Sequence, residues 1–344
     1  MTKSKIIRVL IVDDSMVTRS LLRAMLETDD QILVVGEAED GPKAIAMTRD
    51  LRPNLVTMDL HMPGMGGVEA IREIMSASAV PILVVSGRID AQLACEAIAC
   101  GALDVLAKPD ISQGASLVAK VKLLSGVPVV SHIRQTSRPI AVAPPDLAPM
   151  GDGSPLVFSI ASSTGGPQAL DILLASLPAD FPCPIVVAQH ISPGFSAGLA
   201  DWLNSKSRLS VRLAKDGDVL RPAVVYICPS ESNLTVTRQR SLVLEAWADG
   251  QIYHPSCDRL LSSVAGAFGK QAVGIILTGM GRDGVDGIAS IDHAGGITLA
   301  QDEQSSIVFG MNGEAVRSGH VHEALPLTEI AKRMCGFASA PGRP

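Results

Sequence analysis

The chain has 344 residues, a hydrophobic content of 47%, an aromatic content of only 3% and a formal net charge of -6. At about 100–200 residues per domain, this length predicts two domains, and their cores must consist mainly of aliphatic side chains. The slightly acidic balance and the absence of long runs of like charge argue against a nucleic-acid-binding protein and against a largely disordered one.

The six cysteines are scattered along the chain, and none forms a CxxC pair. This spacing predicts neither a disulfide framework nor a zinc site, so we expect the thiols to be reduced and buried. The apolar run in the N-terminal segment MTKSKIIRVLIVDD is too short for a secretory signal, and no apolar stretch reaches the ~18 residues of a membrane span. The sequence therefore predicts a cytoplasmic protein without membrane insertion.

Residues 1–125 alternate short aliphatic runs with helical stretches, in five units that begin at RVLIV and end at DVLAK and SLVAKVKLL. Strands without polar alternation predict a parallel sheet that helices cover on both faces. Residues 126–154 contain five prolines and little periodicity, which favours a semi-extended linker.

Strands return in residues 155–344, at LVFSIA, PIVVAQHI, VVYICP, LTVT, SLVLEA, AVGIILTG and GITLAQ. Helical stretches are predicted between them at 168–177, 196–205, 257–269 and 284–294. The predicted fold class is therefore α/β, with two doubly wound parallel-sheet domains joined by the proline-rich linker.

Charged and hydroxyl side chains follow the predicted strands of the first half. Asp13 and Asp14 end the first strand and Asp59 the third, while Ser86 ends the fourth and Lys108 the fifth. The carboxyl ends of parallel strands meet at one edge of the sheet. Carboxylates there can hold Mg2+ while one of them attacks phosphorus, and a lysine and a hydroxyl can orient phosphoryl oxygens. For Asp13 or Asp14 alone, a helix cap or a surface acid is an equally good interpretation.

The segments VLIVDDS, MDLHMPGMGG, VVSG and AKP resemble the receiver domain of two-component response regulators over residues 6–125. This resemblance implies a flavodoxin-like domain in which Asp59 accepts a phosphoryl group from a histidine kinase. It also implies that Asp13 and Asp14, together with Asp59, bind Mg2+. Ser86 and Lys108 would sense the phosphorylation.

Three residues of the second half follow the pattern of a nucleophile, a base and an acid. Ser163 ends a strand before a glycine turn, His190 follows PIVVAQ, and Asp283 lies in the glycine-rich loop after AVGIILTG. Each has a simpler interpretation as a phosphate-binding turn, a structural histidine or a turn residue, and Ser162 competes with Ser163. Together they supply the hydroxyl, the imidazole and the carboxylate that acyl transfer requires.

The turn after the first strand of this half predicts an oxyanion site. The amides of Thr164, Gly165 and Gly166 lie at the start of a helix, where we expect them to face the reacting group. The chain order Ser, His, Asp differs from the Ser, Asp, His order of typical α/β-hydrolases, and the turn lacks their GxSxG pattern. A lipase-like enzyme is therefore disfavoured.

The segments IASSTGGP, AQH, YHPSCDRLLSSVA and LTGMGRDG resemble the C-terminal domain of the chemotaxis protein-glutamate methylesterase family, CheB, over about residues 155–335. The resemblance implies a Rossmann-like domain with Ser163 as the nucleophile, His190 as the general base and Asp283 as the orienting acid. It places Thr164 and Met280 at the margin of the site.

The two resemblances imply a phosphorylation-regulated hydrolase that removes methyl groups from glutamyl methyl esters of chemoreceptors, releases methanol and deamidates receptor glutamines. Its partners would be methyl-accepting chemoreceptors and a chemotaxis histidine kinase, with Mg2+ for phosphorylation and no cofactor for ester hydrolysis. The receiver is expected to cover Ser163 until Asp59 is phosphorylated. Two alternatives stay open: the same hydrolase in a non-chemotactic receptor system, and a catalytically silent regulator that only binds receptor or kinase.

The chain departs from both family patterns at a few positions. Gly66-Gly67 stand where the receiver family often has Asp-Gly, and Val105 stands where an aromatic residue is common, which puts an aromatic version of the switch in question. Ala161-Ser162 replace a common Gly-Ala, and Asn312 replaces a usual proline. The residues expected to react are all present.

Overall fold

The structure is a computed structural model that describes residues 6–87, 91–110, 113–127, 156–247, 251 and 253–339. The chain divides into two compact units, residues 1–137 and 138–344. The predicted linker, 126–154, lies outside the described residues apart from its first two positions.

Within its described residues, the first unit has five strands and five helices in strict alternation. The strands are β1 (Ile7–Val12), β2 (Ile32–Ala38), β3 (Leu55–Met58), β4 (Ile82–Ser86) and β5 (Asp104–Ala107). The helices are α1 (Met16–Leu26), α2 (Gly41–Leu51), α3 (Gly67–Ala77), α4 (Ala91–Ala99) and α5 (Gly114–Leu124). The strands form one parallel sheet in the order β2-β1-β3-β4-β5, which confirms the predicted doubly wound topology.

The second unit is larger. Its strands are β6 (Val157–Ser162), β7 (Ile185–Gln189), β8 (Ser210–Leu213), β9 (Val224–Ile227), β10 (Asn233–Val236), β11 (Leu242–Glu245), β12 (Ala272–Ile276), β13 (Ile297–Gln301) and β14 (Glu323–Leu325). Its helices are α6 (Gly166–Ala175), α7 (Ser196–Lys206), α8 (Cys257–Phe268), α9 (Val285–His293), α10 (Met311–Ser318) and α11 (Leu327–Ala338). The sequence patterns gave no prediction of β8, β14, α10 or α11.

Seven of these strands form a parallel sheet in the order β14-β13-β12-β6-β7-β9-β8. Every residue of β6, β7 and β12 is buried, which explains why these strands read as continuous apolar runs. Strands β10 and β11 instead form a separate antiparallel hairpin. The N–H of Thr237 donates to the Ser241 carbonyl at 2.9 Å, and a turn this short excludes the crossover that parallel pairing needs.

The order of the strands determines where a site can form. The chain runs from β6 to β7 on one side and later places β12 on the other, so that β6 is the point at which the topology changes direction. Open α/β sheets bind ligands at the carboxyl ends of strands beside such a point. None of the helices in the described ranges has the length and apolar character needed to span a bilayer.

Candidate active site and phosphorylation site

The predicted nucleophile, base and acid lie at the carboxyl end of the seven-stranded sheet. Ser163 directly follows β6, and His190 directly follows the neighbouring β7. Asp283 lies in the loop between β12 and α9. Because β6 lies between β7 and β12, any contact between His190 and Asp283 must span the end of the strand that carries Ser163.

That contact is a short hydrogen bond. Nε2 of His190 lies 2.7 Å from Oδ2 of Asp283. Since a carboxylate only accepts, the ring carries a hydrogen on Nε2, which leaves the lone pair of Nδ1 to act as a base. In the part of the chain that the structure describes, no hydrogen bond joins the Ser163 hydroxyl to this ring. The structure thus brings the predicted acid and base together, and their contact with Ser163 stays a prediction.

Asp283 is held by the first residues of α8 as well as by the imidazole. Its Oδ2 accepts the N–H of Cys257 at 2.6 Å, and its Oδ1 accepts the N–H of Asp258 at 3.0 Å and the hydroxyl of Ser256 at 3.2 Å. Burial acts to raise the pKa of Asp283, but the hydrogen bonds from His190 and from the helix amides outweigh it and hold the pKa below its ordinary value. The group is therefore a carboxylate at neutral pH.

Asp258 makes the reciprocal connection to α9. Its Oδ1 accepts the N–H of Gly284 at 2.8 Å and the N–H of Gly287 at 2.7 Å. Asp283, which lies just before α9, thus caps the start of α8, and Asp258, which lies in α8, caps the start of α9. Burial, with the nearby charge of Asp283, raises the pKa of Asp258 to about 6. Sequence reasoning missed Asp258, although its place after the cap residue Ser256 was a usable signal.

Two further residues contact the imidazole of His190. The ring of Tyr253 stacks on it, with centroids 5.2 Å apart and an angle of 11° between the planes. Sγ of Cys257 lies 3.4 Å from Nε2. Ligand atoms of His190, Cys257 and Asp283 lie within 4.8 Å of one another, a spacing that also suits a metal ion. However, burial raises the pKa of the Cys257 thiol well above its usual value, which disfavours the thiolate that a metal ion would need. Both oxygens of Asp283 also already accept hydrogen bonds. The pair of His190 and Asp283 therefore suits a hydrogen-bonded catalytic triad better than a metal site.

The turn after β6 uses one of the amides expected at the oxyanion site. The N–H of Gly166 donates to the carbonyl of Ser163 at 2.7 Å, so our expectation that it faces the substrate is wrong. Gly165 has a φ of 78°, and a Cβ there would lie 2.7 Å from Ile307. Only glycine fits this position. The roles of Thr164, which is buried, and Gly165 stay predictions.

The other margin of the site is the loop after β12. A Cβ on Gly279 would lie 2.6 Å from the Cβ of Ser163, so this loop passes directly against the predicted nucleophile. Met280 follows and is 38% exposed, and its place at the margin of the site stays a prediction. The competing hydroxyl, Ser162, is fully buried and donates to Oε1 of Gln189 at 2.6 Å. Ser163 is therefore the better candidate nucleophile.

In the first unit, the residues predicted at the sheet edge also come together. Nζ of Lys108 lies 2.7 Å from Oδ2 of Asp13 and 2.7 Å from Oδ2 of Asp59. The hydroxyl of Ser86 donates to the other oxygen of Asp59 at 3.0 Å. Asp13 and Asp59 are buried, whereas Asp14 is exposed.

These carboxylates fit the Mg2+ that the receiver resemblance implies. Oxygens of Asp13, Asp14 and Asp59 lie within 4.8 Å of one another, and hard oxygen ligands are those that Mg2+ prefers. Burial raises the pKa of Asp13 despite its bonds to Lys108. Desolvation lowers the pKa of Lys108, but its bonds to Asp13 and Asp59 outweigh this and raise it. The cluster is thus short of positive charge, as a cation site should be.

Comparisons with known proteins find a family for each of the two units. A family profile described as CheB methylesterase matches residues 158–334, and one described as response regulator receiver domain matches residues 9–122. The chain is 51% identical to protein-glutamate methylesterase/protein-glutamine glutaminase 3 of Paramagnetospirillum magneticum over 345 residues, covering 97% of each. It is 40% identical to protein-glutamate methylesterase/protein-glutamine glutaminase 4 of Myxococcus xanthus, covering 96% of this chain and 97% of that one.

Among solved structures, the crystal structure of the Thermotoga maritima CheB methylesterase catalytic domain is similar, with a TM-score of 0.52 and 35% identity. The match covers 54% of this chain and 99% of that one. The two matching profiles, the two relatives matched over nearly their whole length and this solved structure all indicate the same family. The chain belongs to the CheB methylesterase family and carries a response regulator receiver domain ahead of its methylesterase domain.

Proposed function

We propose that this chain hydrolyses glutamyl methyl esters of chemoreceptors, deamidates receptor glutamines, and is activated by phosphorylation of Asp59. One observation carries the proposal: the hydrogen bond of 2.7 Å between His190 and Asp283 crosses the end of the strand that presents Ser163. This is the acid and base half of a catalytic triad, built in a member of the CheB methylesterase family.

In the first half of the reaction, the Ser163 hydroxyl attacks the ester carbonyl while Nδ1 of His190 takes its proton. This step requires the Ser163 hydroxyl to reach Nδ1 when the substrate binds, and catalytic hydrogen bonds often form only in the complex. Asp283 stabilises the imidazolium through Nε2. The tetrahedral intermediate then collapses, the ester C–O bond breaks, and His190 returns the proton to the leaving methoxide, so that methanol departs.

In the second half, water attacks the acyl-enzyme and His190 again takes the proton. The bond between the acyl carbon and the Ser163 oxygen breaks, which regenerates the serine and leaves a receptor glutamate. A receptor glutamine would react in the same way, with ammonia in place of methanol as the leaving group.

Regulation belongs to the first unit. Asp59 would accept the phosphoryl group, and Ser86 and Lys108, which contact its two carboxylate oxygens, would sense it. Bound Mg2+, held by Asp13, Asp14 and Asp59, would neutralise phosphoryl oxygens during transfer. The phosphoryl group carries about -1.5 to -2 charge and replaces the single charge of the Asp59 carboxylate, so the buried cluster becomes more negative by up to about one charge. Such a change is enough to shift a conformational equilibrium that controls the activity at Ser163.

The decisive test is methanol release from methylated receptor membranes by the full-length chain and by Ser163→Ala. We expect the variant to lose at least ~10^4-fold in rate, the scale seen when triads are dismantled. Ser176→Ala, which removes an exposed serine at the other end of α6, is the matched control and should keep the wild-type rate. A variant without Ser163 that still released methanol would refute the assignment.

Methanol release, combined with labelling by a fluorophosphonate, separates the alternatives. A catalytically silent receptor-binding regulator would release no methanol and would not react with a serine-directed fluorophosphonate. A hydrolase of a non-chemotactic receptor system would react with the fluorophosphonate but leave chemoreceptor membranes methylated. The contact between His190 and Asp283 favours an enzyme, because a binding module has no need of an oriented imidazole.

A further inference from the structure

A buried polar pair lies directly behind the turn that carries Ser163. Ser162 ends β6, Gln189 ends β7, and the two are partners in the parallel register of these strands. Their exposed fractions are 0% and 2%. Buried polar groups cost free energy unless they are hydrogen-bonded, so the partners of this pair indicate its purpose.

The Gln189 side chain bonds to the backbone of both residues that we expect to react. Its Nε2 donates to the carbonyl of Ser163 at 2.8 Å and to the carbonyl of His190 at 2.8 Å. These two bonds use both hydrogens of the amide. A single side chain therefore connects the main chain of the predicted nucleophile to that of the predicted base.

Ser162 fixes the direction in which this amide faces. Its hydroxyl donates to Oε1 of Gln189 at 2.6 Å. A reversed amide would place Oε1 against two carbonyl oxygens and Nε2 against the hydroxyl, which is unfavourable at the carbonyls. Gly166 supplies the space, because a Cβ at that position would lie 1.9 Å from Oε1.

We infer that Gln189, oriented by Ser162, is a positioning residue that sets the geometry between the Ser163 hydroxyl and the His190 imidazole. The inference rests on the proposed function, because it takes Ser163 and His190 to react together. Gln189 acts through their backbones. A displacement of about 1 Å between reacting groups can cost on the order of 100-fold in rate. The Ser162 hydroxyl adds one hydrogen bond to the two that the Gln189 amide already makes to the backbone.

Two substitutions of Gln189 in the full-length chain test this role. Gln189→Met keeps the length of the side chain but none of its hydrogen bonds, and Gln189→Asn keeps the amide but is one methylene shorter. We expect the labelling rate with a fluorophosphonate and the kcat for methanol release to fall about 100-fold in Gln189→Met. Gln189→Asn should lie between this variant and the wild type. KM should change by less than about twofold in both, because only the reacting geometry is altered.

Ser162→Ala tests the orienting hydroxyl. It should lower the labelling rate about fivefold, as expected for one buried hydrogen bond. The double variant with Gln189→Met should be no slower than Gln189→Met alone, because the hydroxyl acts through the amide. Ser159→Ala is the control: it removes another fully buried hydroxyl of β6, which donates to the Val273 carbonyl at 3.1 Å, and should leave the rates unchanged.

All rates are compared at a temperature at which circular dichroism shows each variant to be folded. If Gln189→Met does not fold, Gln189→Asn decides. A wild-type labelling rate in a folded Gln189 variant, or a double variant in which the two single effects multiply, would overturn the inference. A wild-type chain that the fluorophosphonate does not label would instead refute the proposed function.

Discussion

Both units place carboxylates at the carboxyl ends of parallel strands, but they compensate the buried charge by different means. In the first unit, the ammonium of Lys108 bridges Asp13 and Asp59, at 2.7 Å from each. In the second, Asp283 accepts hydrogen bonds from backbone amides at the start of α8 and from an imidazole. A lysine side chain can move when a charge is added, whereas helix amides are fixed. The first site is therefore suited to changing its charge, and the second to keeping one geometry.

Asp283→Asn tests the site in the second unit and should have the largest effect. The amide can neither hold the neutral imidazole in the required tautomer nor stabilise the imidazolium that forms during the reaction, so kcat should fall about 10^4-fold while the fold persists. The measurement is methanol release, with circular dichroism as the check on folding. Asp286→Asn, which removes an exposed carboxylate from the first turn of α9, is the control and should retain activity. If Asp283→Asn and Asp286→Asn had comparable activity, Asp283 would not hold the imidazole in the way that we propose.

Lys108→Met tests the carboxylate cluster in the first unit. It leaves two buried carboxylates without their cation and should lower the free energy of unfolding of the first unit by about 2–4 kcal/mol. Added Mg2+ should raise the thermal midpoint more in this variant than in the wild type, because the ion supplies the missing charge. Lys120→Met is a close control, since Lys120 has the same 24% exposure but pairs with Asp104 outside the cluster. Equal Mg2+ responses in the two variants would contradict this account.

Asp59→Asn should abolish activation by a small phosphodonor. A coupling of 1–3 kcal/mol corresponds to a stimulation on the order of tenfold in the wild type, which the variant should lack because it has no carboxylate to phosphorylate. The measurement is the ratio of methanol release with and without phosphodonor. Asp50→Asn, at an exposed position of α2, should keep the stimulation. Persistent stimulation in Asp59→Asn would place the phosphorylated residue elsewhere.

Asp258→Asn should produce the smallest effect, visible only in the pH dependence of stability. The folded pKa of Asp258, about 6, lies above its ordinary value of 3.8, so its contribution to stability falls as pH rises between these values. The asparagine keeps an oxygen for the amides of Gly284 and Gly287 but carries no charge. The thermal midpoint of the variant, relative to the wild type, should therefore increase from pH 4 to pH 6.

Asp283→Asn should show the opposite pH dependence of stability within the same site. The pKa of Asp283 is lowered in the fold, so its stabilisation is present above the ordinary value and lost as pH falls through the folded value. The deficit of this variant relative to the wild type should thus shrink at acid pH. If the thermal midpoints of the two variants, relative to the wild type, changed in the same direction with pH, the opposite pKa shifts assigned to Asp258 and Asp283 would be wrong.

The sequence predicted where the candidate reacting groups lie better than it predicted their surroundings. Ser163, His190 and Asp283 were selected as candidates because each follows an aliphatic strand, and parallel strands bring their carboxyl ends together. Gln189 and Asp258 were missed, although one adjoins His190 in sequence. Their importance depends on partners far along the chain, such as the carbonyl of Ser163 and the amide of Gly287.

By itself, the sequence determined the α/β class, the doubly wound sheets and the strand ends that carry the chemistry, because buried parallel strands and glycine turns leave local patterns. Only the tertiary structure decided that Nε2 of His190 faces Asp283, that Gly166 closes the turn and that Ser162 is buried. It also placed β10 and β11 in a separate hairpin. These outcomes depend on directions of hydrogen bonds between segments distant in sequence, and such directions follow from packing, which composition and periodicity do not encode.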